Sequence, residues 1–406
     1  MPLAARIITL LGTLHTLESK VILPRQELVP GRSSAVCPSL HSFLAHDSGQ
    51  NPLPGLKVSS LSSSGPPTRC CSYSCSRLKR AVAVTAAEAI GRAAMGELSG
   101  VMSMKPLFSF GLVADVQYAD KDNKGPDEEG RVQRYREATG KLEKAVKAFN
   151  TNKHNLQFVL TLGDIIDGNI TVQQTESDFD EVLVRLAKLE LKAYHLLGNH
   201  CLRLPRETLL EKLDMPALYY QKQIHPGWTL IVLDSMDLSI RWPTESEKYK
   251  DGLKFCQEHP IVEDKSTQMA SWNGGLGAEQ LAWFAGVLQE AEREGTKVIV
   301  AAHHPLLPGS APLSHLMWNH DQVSSILLTS PSVVLFLSGH YHPGGYLKVG
   351  GQHFVTVQAI LEAPLDSEAH AFVHVYEDHI TIEGYGFVES RNLTIESEPS
   401  AQNKLS

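Results

Sequence analysis

Asp115, Asp164, Asn199, His200, His303, His304, His340 and His342 recur at one kind of position. Each closes a short apolar run. Asp115 follows FGLVA, Asp164 follows FVLTLG, and Asn199 and His200 follow YHLLG. His303 and His304 follow VIVAA, and His340 and His342 follow VLFLSG. Carboxylate, amide and imidazole together suit Mn, Fe or Zn; a structural zinc would favour thiolates, and none stands here. The set holds more ligands than one ion uses. Two ions sharing a carboxylate would use them, and ions about 3.5–4 Å apart stabilise both the attacking and the leaving oxygen of a phosphoryl displacement.

Each piece alone is weak. Gly-Asp and Gly-Asn-His occur by chance in many loops, and His-His-Pro is more often a turn than a ligand pair. His340 and His342 project to one side only if their segment stays extended. The order carries the signal: Asp, Gly-Asp, Gly-Asn-His, His and Gly-His-x-His, each at the end of an apolar run.

Those runs read as strands, and the segments between them as amphipathic helices. GRVQRYREATGKLEKAVKAFN sets Tyr135, Ala138, Leu142, Ala145, Val146 and Phe149 at helical spacing. ESDFDEVLVRLAKL reads as a helix with an acidic first turn, which suits the positive end of its dipole. GAEQLAWFAGVLQEAERE puts Leu281, Phe284, Leu288 and Ala291 on one face. Strands alternating with helices predict an α/β core, in which the carboxyl ends of the strands line the ligand crevice. HFVTVQAI, AFVHVYED and HITIEGYGF follow with little helix between them, so antiparallel strands extend a sheet. The expectation is an α/β (α+β) sandwich of two mixed sheets flanked by helices.

Composition narrows the classes. With 42% hydrophobic and 20% charged residues, the chain has a globular composition. A net charge of −8 and no long basic run in the body argue against nucleic acid as a partner. No apolar stretch approaches the length of a membrane span, so a soluble body is expected. Only Cys201 and Cys256 lie in the body, which is no disulfide framework and fits a reducing compartment.

Residues 1–104 read differently. The first 94 hold four acids (Glu18, Glu27, Asp47, Glu88) against ten Lys or Arg, and only Phe43 and Tyr73 as aromatics. SSLSSSGPPTRCCSYSCSRLKR is Ser-rich and basic, a composition that cannot offset the entropy of folding. Two readings stand side by side: an organellar transit peptide, or a start placed too far upstream, with Met95, Met102 or Met104 as the alternative. A catalytic domain is expected over 105–396, with a disordered tail at 397–406.

Taken in order, ADVQYAD, GRVQRYREA, LGDIIDGN, LGNH, WNGGLG, HHP and SGHYHPGGY resemble the calcineurin-like metallophosphoesterases from about Phe108 to Phe387. Within that superfamily they are most similar to the manganese-dependent ADP-ribose/CDP-alcohol diphosphatases, whose mark is Gln117 where the wider superfamily has His. The resemblance implies a four-layer αββα sandwich and two divalent ions, Mn²⁺ preferred, with Mg²⁺ or Zn²⁺ as alternatives. Carried over by position, Asp115, Gln117, Asp164 and His342 hold one ion. Asp164, Asn199, His303 and His340 hold the other, with Asp164 bridging. His200 faces the substrate phosphate and donates to the leaving oxygen, and His304 stands behind the ligands. The amide oxygen of Gln117 is a weaker, harder donor than imidazole and favours Mn²⁺ over softer metals.

The implied activity cleaves the pyrophosphate of ADP-ribose or of CDP-choline, CDP-ethanolamine and CDP-glycerol without a covalent intermediate. The second phosphate needs a cation. Arg131, Arg134 and Arg136 are candidates because guanidinium matches phosphate geometry, although a solvated helix face explains any one of them as well. Trp272, Asn273 and the Gly274-Gly275 turn are expected to form a loop at the crevice. The rival readings are a cyclic-nucleotide phosphodiesterase or phosphomonoesterase with the same metals, and a non-catalytic scaffold. A monomer in the cytoplasm is expected, or a plastid or mitochondrial protein if residues 1–94 are a transit peptide.

Overall fold

The computed structural model describes residues 105–151, 155–263 and 265–396. The leader, the tail and Cys37, Cys70, Cys71 and Cys75 lie outside them. Strands β1 (Phe108–Val113), β2 (Phe158–Thr161) and β3 (Lys192–His195) run parallel. Strands β4 (Tyr220–His225), β5 (Trp228–Val232), β6 (Lys297–Ala301), β7 (Val333–Ser338), β8 (Gly345–Val349) and β9 (Gln352–Thr356) form a second sheet, ordered β4-β5-β6-β7-β9-β8. Strands β10 (Ala369–Val375), β11 (His379–Gly386) and β12 (Arg391–Thr394) return to the first sheet, whose order is β12-β11-β10-β1-β2-β3.

Both sheets are mixed. β5, β6, β7 and β9 are parallel, while β4 and β8 pair antiparallel at the edges. The first sheet is parallel from β1 to β3 and antiparallel from β1 through β12. Of the three late strands read from sequence, two extend the first sheet. The third, β9, joins the second sheet in parallel with β7.

Alternation along the strands sets the layers. Leu230 and Val232 of β5, and Ile299 and Ala301 of β6, share one core with Phe110 and Leu112 of β1. Their neighbours Ile231, Val298 and Val300 face the other way, onto helices. Those helices are α5 and α6, which follow in chain order after α1 (Ala138–Asn150), α2 (Val172–Leu186), α3 (Arg206–Lys212) and α4 (Glu247–Glu258). α5 (Ala278–Glu294) brings Phe284, Leu288 and Ala291, and α6 (His320–Leu328) brings Val323 and Leu327. On the first sheet α1 lays Phe149 against Gly111, where a Cβ would meet the ring at 2.8 Å. Phe149 also meets Phe372 of β10 edge-on at 5.6 Å. Burying a ring of that size contributes about 1.5–3 kcal/mol. Two sheets flanked by helices are therefore the observed architecture.

Two helix starts differ from the sequence reading. α1 begins at Ala138, not at Gly130, because 130–137 doubles back: Gln133 and Lys124 exchange backbone hydrogen bonds of 2.8 and 3.1 Å. α2 begins earlier, at Val172, where Thr171 and Gln174 form a capping box. Its first turn therefore holds no acid. Asp178 is buried and accepts hydrogen bonds from Asp120 N and Asn169 Nδ2, each at 3.0 Å.

Candidate metal centre

The predicted ligands come from both sheets. Asp115 and Gln117 follow β1, Asp164 follows β2, and Asn199 and His200 follow β3. His303 follows β6, and His340 and His342 follow β7. Asp115, Gln117, Asp164 and His340 adopt positive φ, at 49°, 42°, 46° and 68°. A non-glycine residue there costs about 1–2 kcal/mol, and such strain gathers where side chains must be aimed. Local hydrogen bonds hold it. Gln117 N donates to the Asp164 carbonyl at 2.8 Å, and Leu361 N donates to the Asp115 carbonyl at 3.1 Å. His340 N donates to both Asp115 carboxylate oxygens, at 3.2 and 3.0 Å, which ties the second sheet to the first.

Two glycines of the motifs exist for close approach. A Cβ on Gly198 would run into Asp164 Oδ1, and one on Gly339 would run into Asp115 Oδ2. The carboxylates lie flat against bare backbone, so Gly-Asn-His and Gly-His are one device used on two sheets.

The side chains converge on Asp164. Its Oδ2 lies 3.0 Å from Gln117 Nε2 and 3.1 Å from His303 Nε2. Gln117 Nε2 also lies 3.3 Å from His342 Nε2, and His342 Nε2 lies 3.8 Å from Asp115 Oδ1. On the other side, one donor atom each from Asp164, His303 and His340 fall within 4.8 Å of one another. Asp164 is thus common to two donor sets. The Gln117 amide turns its nitrogen toward Asp164, and half a turn about its last bond presents the oxygen instead.

Supporting partners orient the imidazoles. His303 Nδ1 binds the Leu162 carbonyl at 2.8 Å, and His342 Nδ1 binds Glu362 Oε1 at 2.8 Å. His340 Nε2 binds Asn273 Oδ1 at 2.9 Å. His304 lies behind them, with Nδ1 on Ser235 Oγ at 2.8 Å. His200 N donates to Asp164 Oδ1 at 2.8 Å, while its ring Nδ1 meets Asp167 at 3.0 Å from Oδ1 and 3.1 Å from the carbonyl.

The arrangement calls for cations. Asp115 and Asp164 are fully buried, and among the described residues no lysine or arginine pairs with either. Burial pushes the Asp115 carboxyl up to about 6, against the pull of His303 and His342. Burial acts the same way on Asp164, yet His303 and His200 outweigh it and hold that carboxyl well below its ordinary value. Burial lowers His303 and His200, but Asp164 leads the groups that raise each to about 9. Burial and neighbouring imidazoles hold His340 and His304 far below the usual value, so they stay neutral. Among the described residues Asn199 Oδ1 is buried without a hydrogen-bond partner, and His303 Nε2 has no neighbour but the Asp164 carboxylate, 3.1 Å away and poorly aligned for a hydrogen bond. Orphaned donor atoms beside buried carboxylates fit divalent ions.

The cluster floors a cavity of about 610 Å³, within the range of small-molecule sites. Gln117, Asn199, His200, His340 and His342 form its base. Trp272, His315 and Tyr341 supply flat faces, and Lys124, Arg131 and Lys265 supply charge.

The comparisons with known proteins agree with this geometry. The family model for calcineurin-like phosphoesterases matches residues 108–344. The chain belongs to the calcineurin-like phosphoesterase family. It is 36% identical over 307 residues to a manganese-dependent ADP-ribose/CDP-alcohol diphosphatase of Arabidopsis thaliana, covering 72% of this chain and 98% of that one. The protein of the same name from Homo sapiens is 31% identical over 325 residues, covering 73% and 95%. The crystal structure of a dimetal phosphatase from Danio rerio superposes with a TM-score of 0.68 at 30% identity, covering 72% of this chain and all of that one.

Strand ends bring the chemistry together, and Asp115, Gln117, Asp164, Asn199, His200, His303, His340 and His342 all reach one place. Of the three arginines, Arg131 alone reaches the cavity. Arg131 lines the cavity but is paired with Asp127 at 2.8 Å and with Glu129. Arg134 turns its guanidinium onto the carbonyls of Val132 and Glu362, at 3.0 and 3.4 Å. Arg136 is half-exposed and paired with Asp120 and Asp122 at 2.6 and 2.7 Å. Neither Arg134 nor Arg136 lines the cavity. Sequence reasoning missed Glu362 and Asp167, the acids behind His342 and His200. Glu362 carried the signal: it too closes an apolar run, VTVQAIL. Asp167 stands inside LGDIIDGN, and nothing local marks its role.

Proposed function

We propose that this chain is a dinuclear-metal diphosphatase that cleaves ADP-ribose to AMP and ribose 5-phosphate, and CDP-choline to CMP and phosphocholine. The observation that carries the reading is Asp164 Oδ2, 3.0 Å from the Gln117 amide and 3.1 Å from His303 Nε2. In this reading Asp115, Gln117, Asp164 and His342 hold one ion, and Asp164, Asn199, His303 and His340 hold the other. The relatives named manganese-dependent support Mn²⁺ as the preferred metal. When bound, the ions supply a water of lowered pKa and Lewis acidity at phosphorus.

The rest is done by the chain. His200 has Nδ1 engaged by Asp167, which leaves Nε2 for the substrate, and its charged form is favoured. It donates a proton to the leaving phosphate oxygen and stabilises the charge growing there. Glu362 and the Leu162 carbonyl fix the tautomers of His342 and His303. Trp272 and Tyr341 offer stacking faces for the base. A catalytic domain over 105–396, a monomer and a cytoplasmic location belong to the same proposal. No helix among the described residues is long and apolar enough to cross a membrane.

The test is a matrix of Mn²⁺, Mg²⁺ and Zn²⁺ against ADP-ribose, CDP-choline, a cyclic nucleotide and p-nitrophenyl phosphate. The highest kcat/KM is expected for the two diphosphates with Mn²⁺. Turnover of the monoester alone would overturn the reading, and no turnover of any phosphoester would favour a scaffold.

A further inference from the structure

A second group of cations stands beside the metal centre. Arg131, Arg136, Arg185, Arg293 and Arg391 each reach a carboxylate. Arg203, Arg206 and Arg241 reach none among the described residues, and all three line one cavity of about 360 Å³ with Trp242. Arg206 is the brace. Its guanidinium stacks on the Trp242 ring at 3.5 Å and donates to the carbonyls of Arg241 and Met236, at 2.9 and 3.3 Å. Arg206 is 7% exposed, and its Nε is buried without a partner among the described residues. It fixes the backbone that carries Arg241. Arg203 is exposed, Arg241 is half-buried, and neither side chain has a hydrogen bond or ion pair among the described residues.

Their place relative to the chemistry is defined. Arg203 ends the turn Cys201–Arg203 that starts at His200, and its N donates to the His200 carbonyl at 3.3 Å. Its side chain lies over Gly168, where a Cβ would strike Arg203 Cγ. Gly168 is next to Asp167, the acid that holds the His200 ring. Burial lowers the pKa of Arg241 and Arg203 lowers it further, while Glu263 and then Asp164 pull it up, so all three groups lie within electrostatic reach. Two unpaired guanidiniums repel each other, and an anion between them removes that penalty and accepts their forked N–H groups.

We propose that Arg203 and Arg241 form an anion subsite on the His200 side of the cluster, which takes the leaving phosphate of the cleaved diphosphate. This rests on the diphosphatase reading and deepens it. Arg203 and Arg241 here assume the charge-neutralising role that the sequence suggested for Arg131, Arg134 and Arg136.

The test uses the Mn²⁺-loaded full chain with R203Q, R241Q and R241K. The substrates are ADP-ribose and bis(p-nitrophenyl) phosphate, a diester whose leaving group carries no phosphate. Each Gln variant should lose about tenfold or more in kcat/KM on ADP-ribose, the worth of a charged hydrogen bond, and keep its turnover of the diester. R241K should recover part of the loss, and thermal melts should match wild type. Equal losses on both substrates, or no loss on ADP-ribose, would overturn the subsite. So would inorganic phosphate that alters diester turnover in wild type but not in R241Q while ADP-ribose kinetics stay unchanged, because free phosphate would then be the ligand. A wild type inert on both ADP-ribose and CDP-choline ends the functional reading and the subsite with it. A wild type active on them with indifferent variants ends only the subsite.

Discussion

The two sheets contribute different halves of the candidate metal centre. The first supplies Asp115, Gln117, Asp164 and Asn199, all from the ends of parallel strands and all with oxygen to offer. The second supplies His303, His340 and His342, all imidazoles. The first sheet aims its groups by backbone conformation, with positive φ at Asp115, Gln117 and Asp164. The second aims them mainly by hydrogen bonds from the far ring nitrogen, to Leu162, Asn273 and Glu362. The difference is physical. A carboxylate is short and presents two equivalent oxygens, so placing its Cα nearly suffices. An imidazole has two distinct nitrogens, and only a partner on one commits the other. In the proposed ligand sets neither sheet holds an ion with its own groups alone, so bound ions would clasp the sheets together.

Asp164 is the residue on which that comparison can be broken. Asp164→Asn should remove the bound ions, measured by elemental analysis, and lower kcat/KM by about 10³-fold or more, beyond the loss from a single transition-state donor. Asp234→Asn is the control. Asp234 also follows a first-rate apolar strand, β5, but its backbone is clamped to Gln280 on α5, by hydrogen bonds of 2.9 and 3.0 Å. Its turnover should be kept. Retained metal and activity in Asp164→Asn would remove the shared ligand from the mechanism.

The clasp itself predicts a stability change. Chelation should lower the melting temperature by about 5–10 °C, since a ligand at 100 times its Kd adds about 2.7 kcal/mol to the folded state. Asp164→Asn should melt at the chelated temperature with or without Mn²⁺. An unchanged melt of the wild type would mean that the sheets are held by their apolar core alone.

How much of this was legible in the sequence follows the same division. The first-sheet candidates could be read because an acid or amide ending an apolar run is conspicuous, and Gly-Asp and Gly-Asn-His mark close approach. The sheets and their flanking helices were legible from periodicity. What stayed hidden depends on contacts between distant segments. The chain over 130–137 has helical spacing but pairs back on Lys124 instead. Arg136 lies near the site in sequence, yet its charge goes to Asp120 and Asp122. Asp234 has every mark of a strand-end ligand, yet its backbone is tied to Gln280 and its carboxylate accepts from Met236 N at 2.9 Å. Spacing can propose a ligand, but the pairing of its backbone decides where it points.

Glu362 tests the second sheet's way of aiming. Glu362→Gln keeps the shape and removes the charge behind His342. Metal affinity should fall about 10–100-fold, the usual effect of losing such a partner. Turnover at saturating Mn²⁺ should be nearly kept, because Glu362 reaches the ligand and not the reacting phosphate. Titration of apoprotein with Mn²⁺ reads the first effect, and steady-state kinetics reads the second. Unchanged affinity would mean that packing alone orients His342.

The smallest effect should come from giving the first sheet a ligand of the second sheet's kind. Gln117 sits at positive φ with its amide 3.0 Å from Asp164 and 3.3 Å from His342. Gln117→His would add an imidazole to that ion's coordination. Nitrogen is the softer donor, so the preference should move from Mn²⁺ toward Zn²⁺, with only a few-fold change in kcat under the better metal. Competition between Mn²⁺ and Zn²⁺ for the apoprotein reads the shift directly. If the ratio of affinities stays put, the donor at this position does not choose the metal. The oxygen character of the first sheet would then follow from Asp115, Asp164 and Asn199.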